Sequence, residues 1–404
     1  MTSRLLPSPK CIVFVALLHI LLPLLCRHLP FSFYFHVDPL SNSDENSEEE
    51  RAFDQLAIVA RSEKKLANIA RSEGKLANIA EGGRVLAKIA REGDQQHNPL
   101  AVLVLTAKRR GVSYLGRSLL ALHKELRRTA VDHQHLVFVC TGEEALGLRE
   151  QLPFQVLQPN TSLPYLPPGD QKAKRDLVFC SNQLEKMLPK SVEHILILEE
   201  DAVLMEDFFS TLLSWMSFHS ERLQSEPWLE IKLYLNPRLR GWAWDPLPLV
   251  ELLASTSLLT WISHTILTRL QEPGNRPESW LSPVFLWLAI LAALLLVGRQ
   301  HWLQWRRLHP QFYLRRDSPN AGTPAVLYPR QRLRGAIGYV EQKINTPTPF
   351  DLVLGKYRQN QGLVGHLLEP NLVRHIGVSS VFDAAHESDR DGRDKREFQL
   401  KYPV

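Results

Sequence analysis

The chain has 404 residues, 44% hydrophobic and 23% charged, with a formal net charge of +5. That length fits one large domain or two ordinary ones, and the balance is that of a globular protein. No block of lysine and arginine is interleaved with aromatics, which argues against nucleic-acid binding. The four cysteines, none in a CxxC pair, are too few for a disulfide-built scaffold.

Residues 1–10 read as a short cytosolic tail carrying Arg4 and Lys10. The apolar run from Cys11 to Leu25 follows, then Arg27 and His28, then Phe31, Phe33, Tyr34 and Phe35. Aromatics at that place suit the headgroup region, and no small-x-small cleavage site follows. Residues 11–30 are therefore expected to be an uncleaved transmembrane anchor, short enough for a thin early-secretory or Golgi bilayer. Residues 31–98 read as a stem. It opens with the polar, acidic linker Ser41 to Glu50 and carries a repeat of period ten: Leu66 to Ala70, Leu76 to Ala80 and Leu86 to Ala90. Ten residues are not a whole number of helical turns, so the apolar stripe drifts by roughly 80° per repeat and forms no straight seam. A spacer fits better than a binding module.

From Asn98-Pro99 onward, strands and helices alternate as in an α/β domain. Strands are expected at Leu100 to Thr106, Leu136 to Cys140, Ile195 to Leu198, Glu230 to Leu235 and Pro324 to Tyr328, and helices at Tyr114 to Leu126 and Lys172 to Leu188. Cys140 and Cys180 lie in this body; an oxidising lumen would allow them to bridge, but spacing alone does not bring them together. Asn160-Thr161-Ser162 is a sequon for N-glycosylation in a proline-rich loop.

Two apolar stretches interrupt the domain: Pro246 to Leu270 and Trp280 to Val297, joined by the turn Gln271 to Glu278. Each is near the ~20 residues that span a bilayer. A helical pair buried in a soluble core is the alternative, but Leu291 to Val297 offers no polar face. Residues 246–298 are accordingly expected to form a transmembrane hairpin, which returns the chain to the side it left. Glu251 is awkward in such a hairpin, though it lies near one end. The α/β domain would then consist of residues 99–245 and 299–382, followed by a disordered charged tail at 383–404.

The third strand ends in Glu199-Glu200-Asp201. Carboxylates at the carboxyl edge of a sheet lie where open α/β sheets bind ligands, and three adjacent acids invite a divalent cation. Hard oxygen ligands suit Mn²⁺ or Mg²⁺ held jointly with substrate phosphates, as in an enzyme that uses a nucleotide-sugar. The first strand runs into Thr106-Ala107-Lys108-Arg109-Arg110-Gly111, a turn able to meet a nucleotide through Thr106 and Arg109. His375, inside Glu369 to Gly377, offers an imidazole to the same cation.

Several stretches together resemble the GPI-anchor side-chain N-acetylgalactosamine transferases of the Golgi. They are Gln171 to Cys180, Ile197 to Ala202, Lys232-Leu233-Tyr234, Val297-Gly298-Arg299 with Arg306-Arg307-Leu308, Thr323-Pro324-Ala325, and Glu369 to Gly377. The resemblance runs in order from about Pro99 to Phe382 and includes the mid-chain hairpin. It implies a GT-A-like domain interrupted by a transmembrane hairpin, behind an N-terminal anchor, in a multi-pass Golgi membrane protein with a lumenal catalytic domain. It implies transfer of N-acetylgalactosamine from UDP-GalNAc to the first mannose of the GPI glycan, with inversion, and GPI-anchored proteins as acceptors. The resemblance implies a metal at the family's Glu-Asp-Asp motif, which Glu199 and Asp201 match; Asp201 and His375 are the expected metal ligands, and Thr106, Arg109, Asp176, Glu199 and Glu200 the expected donor-binding residues. Glu200 stands where the family has Asp. Asp351, at the expected start of a helix, is the candidate base that deprotonates the acceptor hydroxyl. A related lumenal transferase using another UDP-sugar, and a catalytically silent GPI-lipid-binding membrane protein, are the competing readings.

Overall fold

The computed structural model describes residues 50–61, 100–106, 114–128, 136–141, 152, 154–158, 169–236, 242, 246–269, 283–320 and 322–376. The expected anchor, the decad repeat, the sequon, Arg109 and the charged tail lie outside these residues. The chain divides into two compact units, one holding residues 40–235 and 308–391, the other residues 236–307 with both termini.

In the first unit, helix α1 (residues 50–61) precedes β1 (Leu100–Thr106), α2 (Leu115–Arg128), β2 (Leu136–Thr141) and β3 (Gln155–Leu157). Next come α3 (Asp170–Met187), β4 (His194–Glu199), β5 (Ala202–Leu204), α4 (Phe208–Phe218), α5 (Ser220–Ser225) and β6 (Trp228–Lys232). The fold is mixed α/β, with one eight-stranded sheet and a two-stranded ribbon. Strands β1 to β4 are mutually parallel, as the buried apolar runs led one to expect. The far half is not. Beyond the second unit, β7 (Leu314–Asp317), β8 (Ala325–Pro329), α9 (Arg330–Gln342), α10 (Phe350–Asn360), β9 (Val364–Glu369) and β10 (Val373–His375) complete the chain. Strand β8 inserts antiparallel between β4 and β6, giving the order β3-β2-β1-β4-β8-β6-β9-β7.

Alternation at period two divides each central strand between two cores. Leu100, Val102 and Val104 of β1 and Leu196 and Leu198 of β4 face α2 and α4, with Trp215 and Phe208. Ala101, Leu103, Ile195 and Ile197 face α3, α9 and α10, with Leu184, Ala336 and Val353. Helices thus cover both sides of the sheet, which is why its strands read as unbroken apolar runs. Leu56 of α1 is fully buried in the first core, so the expected stem contributes a packed helix. In the second core Cys140 of β2 and Cys180 of α3 form a disulfide, with their Cα atoms 5.8 Å apart.

The second unit holds α6 (Pro246–Arg269), α7 (Pro283–Val297) and the short α8 (Arg299–Trp302), which runs on as a 3-10 helix to Leu308. Helix α6 is long and apolar enough to cross a membrane. Helix α7 spans 15 residues and reaches that length only when joined to Arg299–Leu308 across a 96° bend. The bend is made at Gly298, whose φ of +91° is one that a residue with a Cβ rarely adopts. Helix α6 buries Pro248, Leu252, Thr256 and Thr260, a stripe at i, i+4, i+8 and i+12. The hydroxyls of Thr256 and Thr260 donate back to the carbonyls of Leu252 and Thr256 at 2.7 Å, so no polar group there lacks a partner. Large apolar side chains point outward instead, among them Leu247, Val250 and Trp261 on α6 and Val284 and Leu288 on α7. Glu251 is held by Arg299 and Arg306, each at 3.0 Å.

Candidate metal and donor site

The carboxyl end of β4 is where the site forms. Glu199 is its last residue, and its N–H bonds the Pro324 carbonyl at 2.9 Å. The backbone turns at Glu200 and Asp201 and re-enters as β5, which pairs antiparallel with β10. That register sets His375 opposite Ala202, and Ile376 N–H donates to the Asp201 carbonyl at 2.9 Å. The ribbon thereby brings together two residues far apart in sequence: His375 Nε2 lies 3.1 Å from Asp201 Oδ2.

Glu199 joins them. One ligand atom from each of Glu199, Asp201 and His375 lies within 4.8 Å of the others, the one such group among the described residues. Asp201 is 1% exposed, while the His375 side chain is 25% exposed, so the group has a closed inner side and an open outer one. Two carboxylates and an imidazole make a donor set that fits Mn²⁺ or Mg²⁺ and leaves positions for phosphate oxygens. Glu200 does not face this group. Its Oε2 accepts the Thr106 hydroxyl at 2.6 Å, tying the end of β4 to the end of β1.

Five residues without a role in the sequence reading complete the surroundings. Thr323 donates its hydroxyl to Glu199 Oε1 at 2.9 Å, and the Tyr234 ring lies 5.6 Å from the His375 ring. The Tyr234 position is set by Asn371, whose side chain accepts from Leu235 N–H at 2.8 Å and donates to its carbonyl at 2.9 Å. Lys232, fully buried on β6, donates to the Pro319 carbonyl at 2.7 Å, and burial lowers its pKa. Arg358 binds Glu230, the Ser318 carbonyl and Asn320, so it ties residues 318–320 to β6. A Cβ on Gly365 would collide with the Arg358 guanidinium, which explains a glycine inside β9.

Asp351 sits in the first turn of α10. Its Oδ2 accepts Gly322 N–H at 2.9 Å and its Oδ1 accepts Leu352 N–H at 2.8 Å. Since Thr323 follows Gly322, one segment links Asp351 to Glu199. Burial raises the Tyr328 phenol well above its usual pKa, and Glu230, Glu199 and Asp351 add to the effect. Asp176 faces its own helix, accepting from Lys172 at 2.8 Å and from Arg175 at 2.8 Å. The site as built therefore gathers Glu199, Asp201 and His375 in one group and Thr106 with Glu200 beside it. Asp351 is connected to it through Gly322 and Thr323, and Asp176 pairs with residues of its own helix α3.

A family model matches residues 100–374, from the first residue of β1 to the residue before His375. The chain is a glycosyltransferase. The family is described as GPI-N-acetylgalactosamine transferase PGAP4, and the chain belongs to it. Among solved structures, the chain is similar to the crystal structure of S. aureus TarS 1-349, at 11% identity and a TM-score of 0.34, covering 74% of this chain and 68% of that one. It is also similar to the apo form of mouse xyloside xylosyltransferase 1, at 12% identity and a TM-score of 0.27, covering 67% of this chain and 78% of that one.

Proposed function

We propose that the protein is an inverting, metal-dependent transferase that moves N-acetylgalactosamine from UDP-GalNAc to the first mannose of the GPI-anchor glycan. The observation that carries this reading is the group Glu199, Asp201 and His375, assembled at the carboxyl edge of β4 in a chain of that family. Asp201 and His375 would hold Mn²⁺, with Glu199 beside them, and the cation would supply charge neutralisation for the departing diphosphate. Thr106, at the end of β1, donates to Glu200, and these two with Arg109 would meet the nucleotide of a GT-A-type donor. Asp176 is kept as a donor-side residue acting through its Lys172 and Arg175 pairs.

Asp351 is the base in this scheme. Accepting two backbone N–H groups fixes its carboxylate, so it acts as a positioned acceptor of the mannose hydroxyl proton. Helices α6 and α7 form a membrane hairpin behind an N-terminal anchor, which keeps the α/β unit in the Golgi lumen beside GPI-anchored acceptors. The outward-facing apolar side chains and inward-facing threonines of α6 support that reading, because they reverse the arrangement of a water-soluble helix. The test is expression in cells that lack the GPI side-chain transferase. Return of N-acetylgalactosamine on released anchors is expected. Failure of that return, with hydrolysis of UDP-N-acetylglucosamine in place of UDP-GalNAc, would assign another donor.

A further inference from the structure

Segment Arg299–Leu308 carries a function that the catalytic scheme does not use. It leaves α7 at 96°, so if α7 crosses a bilayer the segment runs along the membrane plane. Its two faces differ. Leu303 is fully buried, and Trp302 packs with Trp242, Leu252 and Leu294. Trp305 is 39% exposed and Leu308 80% exposed, three residues apart and therefore on the outward side of the turn. The Arg306 guanidinium lies 4.6 Å from the Trp305 ring centre. Residues 299–308 contain Arg299, Arg306 and Arg307 and no acid. Two of those arginines clamp Glu251 of α6, fastening the segment to both helices of the unit at the end where the chain enters and leaves.

We propose that Arg299–Leu308 is an interfacial foot that lies in the phospholipid headgroup layer, with Trp305 and Leu308 entering the acyl boundary and Arg307 at the lipid phosphates. The proposal rests on the membrane-hairpin reading. A tryptophan with an arginine over its ring, following an apolar helix, has the composition of a bilayer interface rather than of its interior. Continuity supplies the occupant, since the lipid that covers the outward side chains of α6 and α7 meets its headgroups where those helices end. The foot would hold this end of the hairpin at a fixed depth, with the Glu251 ion pairs just beneath the surface. Sixteen residues into α6, Trp261 is about 15 Å of helix rise further along than Glu251, close to the middle of a ~30 Å hydrocarbon core.

The test uses the full chain in phosphatidylcholine liposomes whose acyl chains carry bromine either near the headgroup or near the chain end. The fluorescence of Trp305 is read as the difference between the wild type and Trp305→Phe, and that of Trp261 from Trp261→Phe. Trp305 is expected to be quenched roughly twofold more strongly by the shallow bromines than by the deep ones, and Trp261 the reverse. Deep quenching of Trp261 with no quenching of Trp305 would overturn the foot and leave the hairpin standing. Absence of quenching at both would overturn the hairpin and the foot with it. A spin label on Leu308→Cys reads the same depth without altering a tryptophan: protection from a water-soluble relaxant supports the foot, and full exposure overturns it.

Discussion

At the scale of single residues, the site rests on hydrogen bonds that fix where each carboxylate points. Asp201 and His375 are held 3.1 Å apart by the β5–β10 ribbon rather than by their neighbours in sequence. Asp201→Ala is expected to abolish Mn²⁺-dependent UDP binding, read by titration calorimetry with and without the metal. Thr323 donates its hydroxyl to Glu199 Oε1. Thr323→Val keeps the shape and removes that donor, so metal affinity should fall ~10- to 100-fold with the fold intact, as for other groups that orient a ligand. Unchanged affinity would return Thr323 to a purely structural role. Asp351→Asn keeps an acceptor for Gly322 N–H and removes the base, so transfer should be lost while UDP binding stays. Retained turnover in that variant would end the assignment. The acidic triplet was visible in the sequence as three candidates. The sequence reading already set Asp201 with His375 and put Glu199 and Glu200 on the donor; the Thr106–Glu200 bond was not legible, because a one-residue step along the turn sends Glu200 to Thr106 and Asp201 to His375.

At the scale of elements, β1, β2, β4 and β8 were legible because each is buried on both faces and so reads as a continuous apolar run. β7, β9 and the short β5 and β10 escaped notice. The sequence of β7, Leu-Arg-Arg-Asp, is that of a charged edge strand, and β9 holds Gly365 for the Arg358 approach rather than a strand-favouring residue. Elements also carry the pH response. His194, the first residue of β4, stacks on Trp228 at 5.9 Å, and burial lowers its pKa to about 4. The folded state therefore holds it neutral while the unfolded chain takes up a proton below pH ~6.5, so its contribution falls as the pH drops. About 3 kcal/mol should be lost between pH 6.5 and pH 4. Urea midpoints should drop across that window, and His194→Phe should flatten the drop. The disulfide joins β2 to α3 across 40 residues, and Cys140→Ala with Cys180→Ala should cost roughly 2–4 kcal/mol in the same assay.

At the scale of the whole molecule, the sequence announced the interruption of an α/β domain by two apolar helices but not how the charged residue inside it is tolerated. Glu251 looked misplaced. It is the anchor of two arginines from the bend, one of them 1% exposed. Glu251→Ala should therefore leave guanidinium groups without their carboxylate and cost about 3–5 kcal/mol, read as a lower unfolding temperature in detergent. The interruption has a consequence in time as well as in space. Strand β6 precedes the hairpin, yet its partners β8 and β9 follow it, and His375 comes after both. During synthesis the hairpin emerges while β6 still lacks its partners, and β1 to β4 can associate without waiting for it. On the membrane-hairpin reading, insertion into the bilayer thus comes before closure of the sheet. The group of Glu199, Asp201 and His375, which needs both β4 and β10, is the last part of the nascent enzyme to exist.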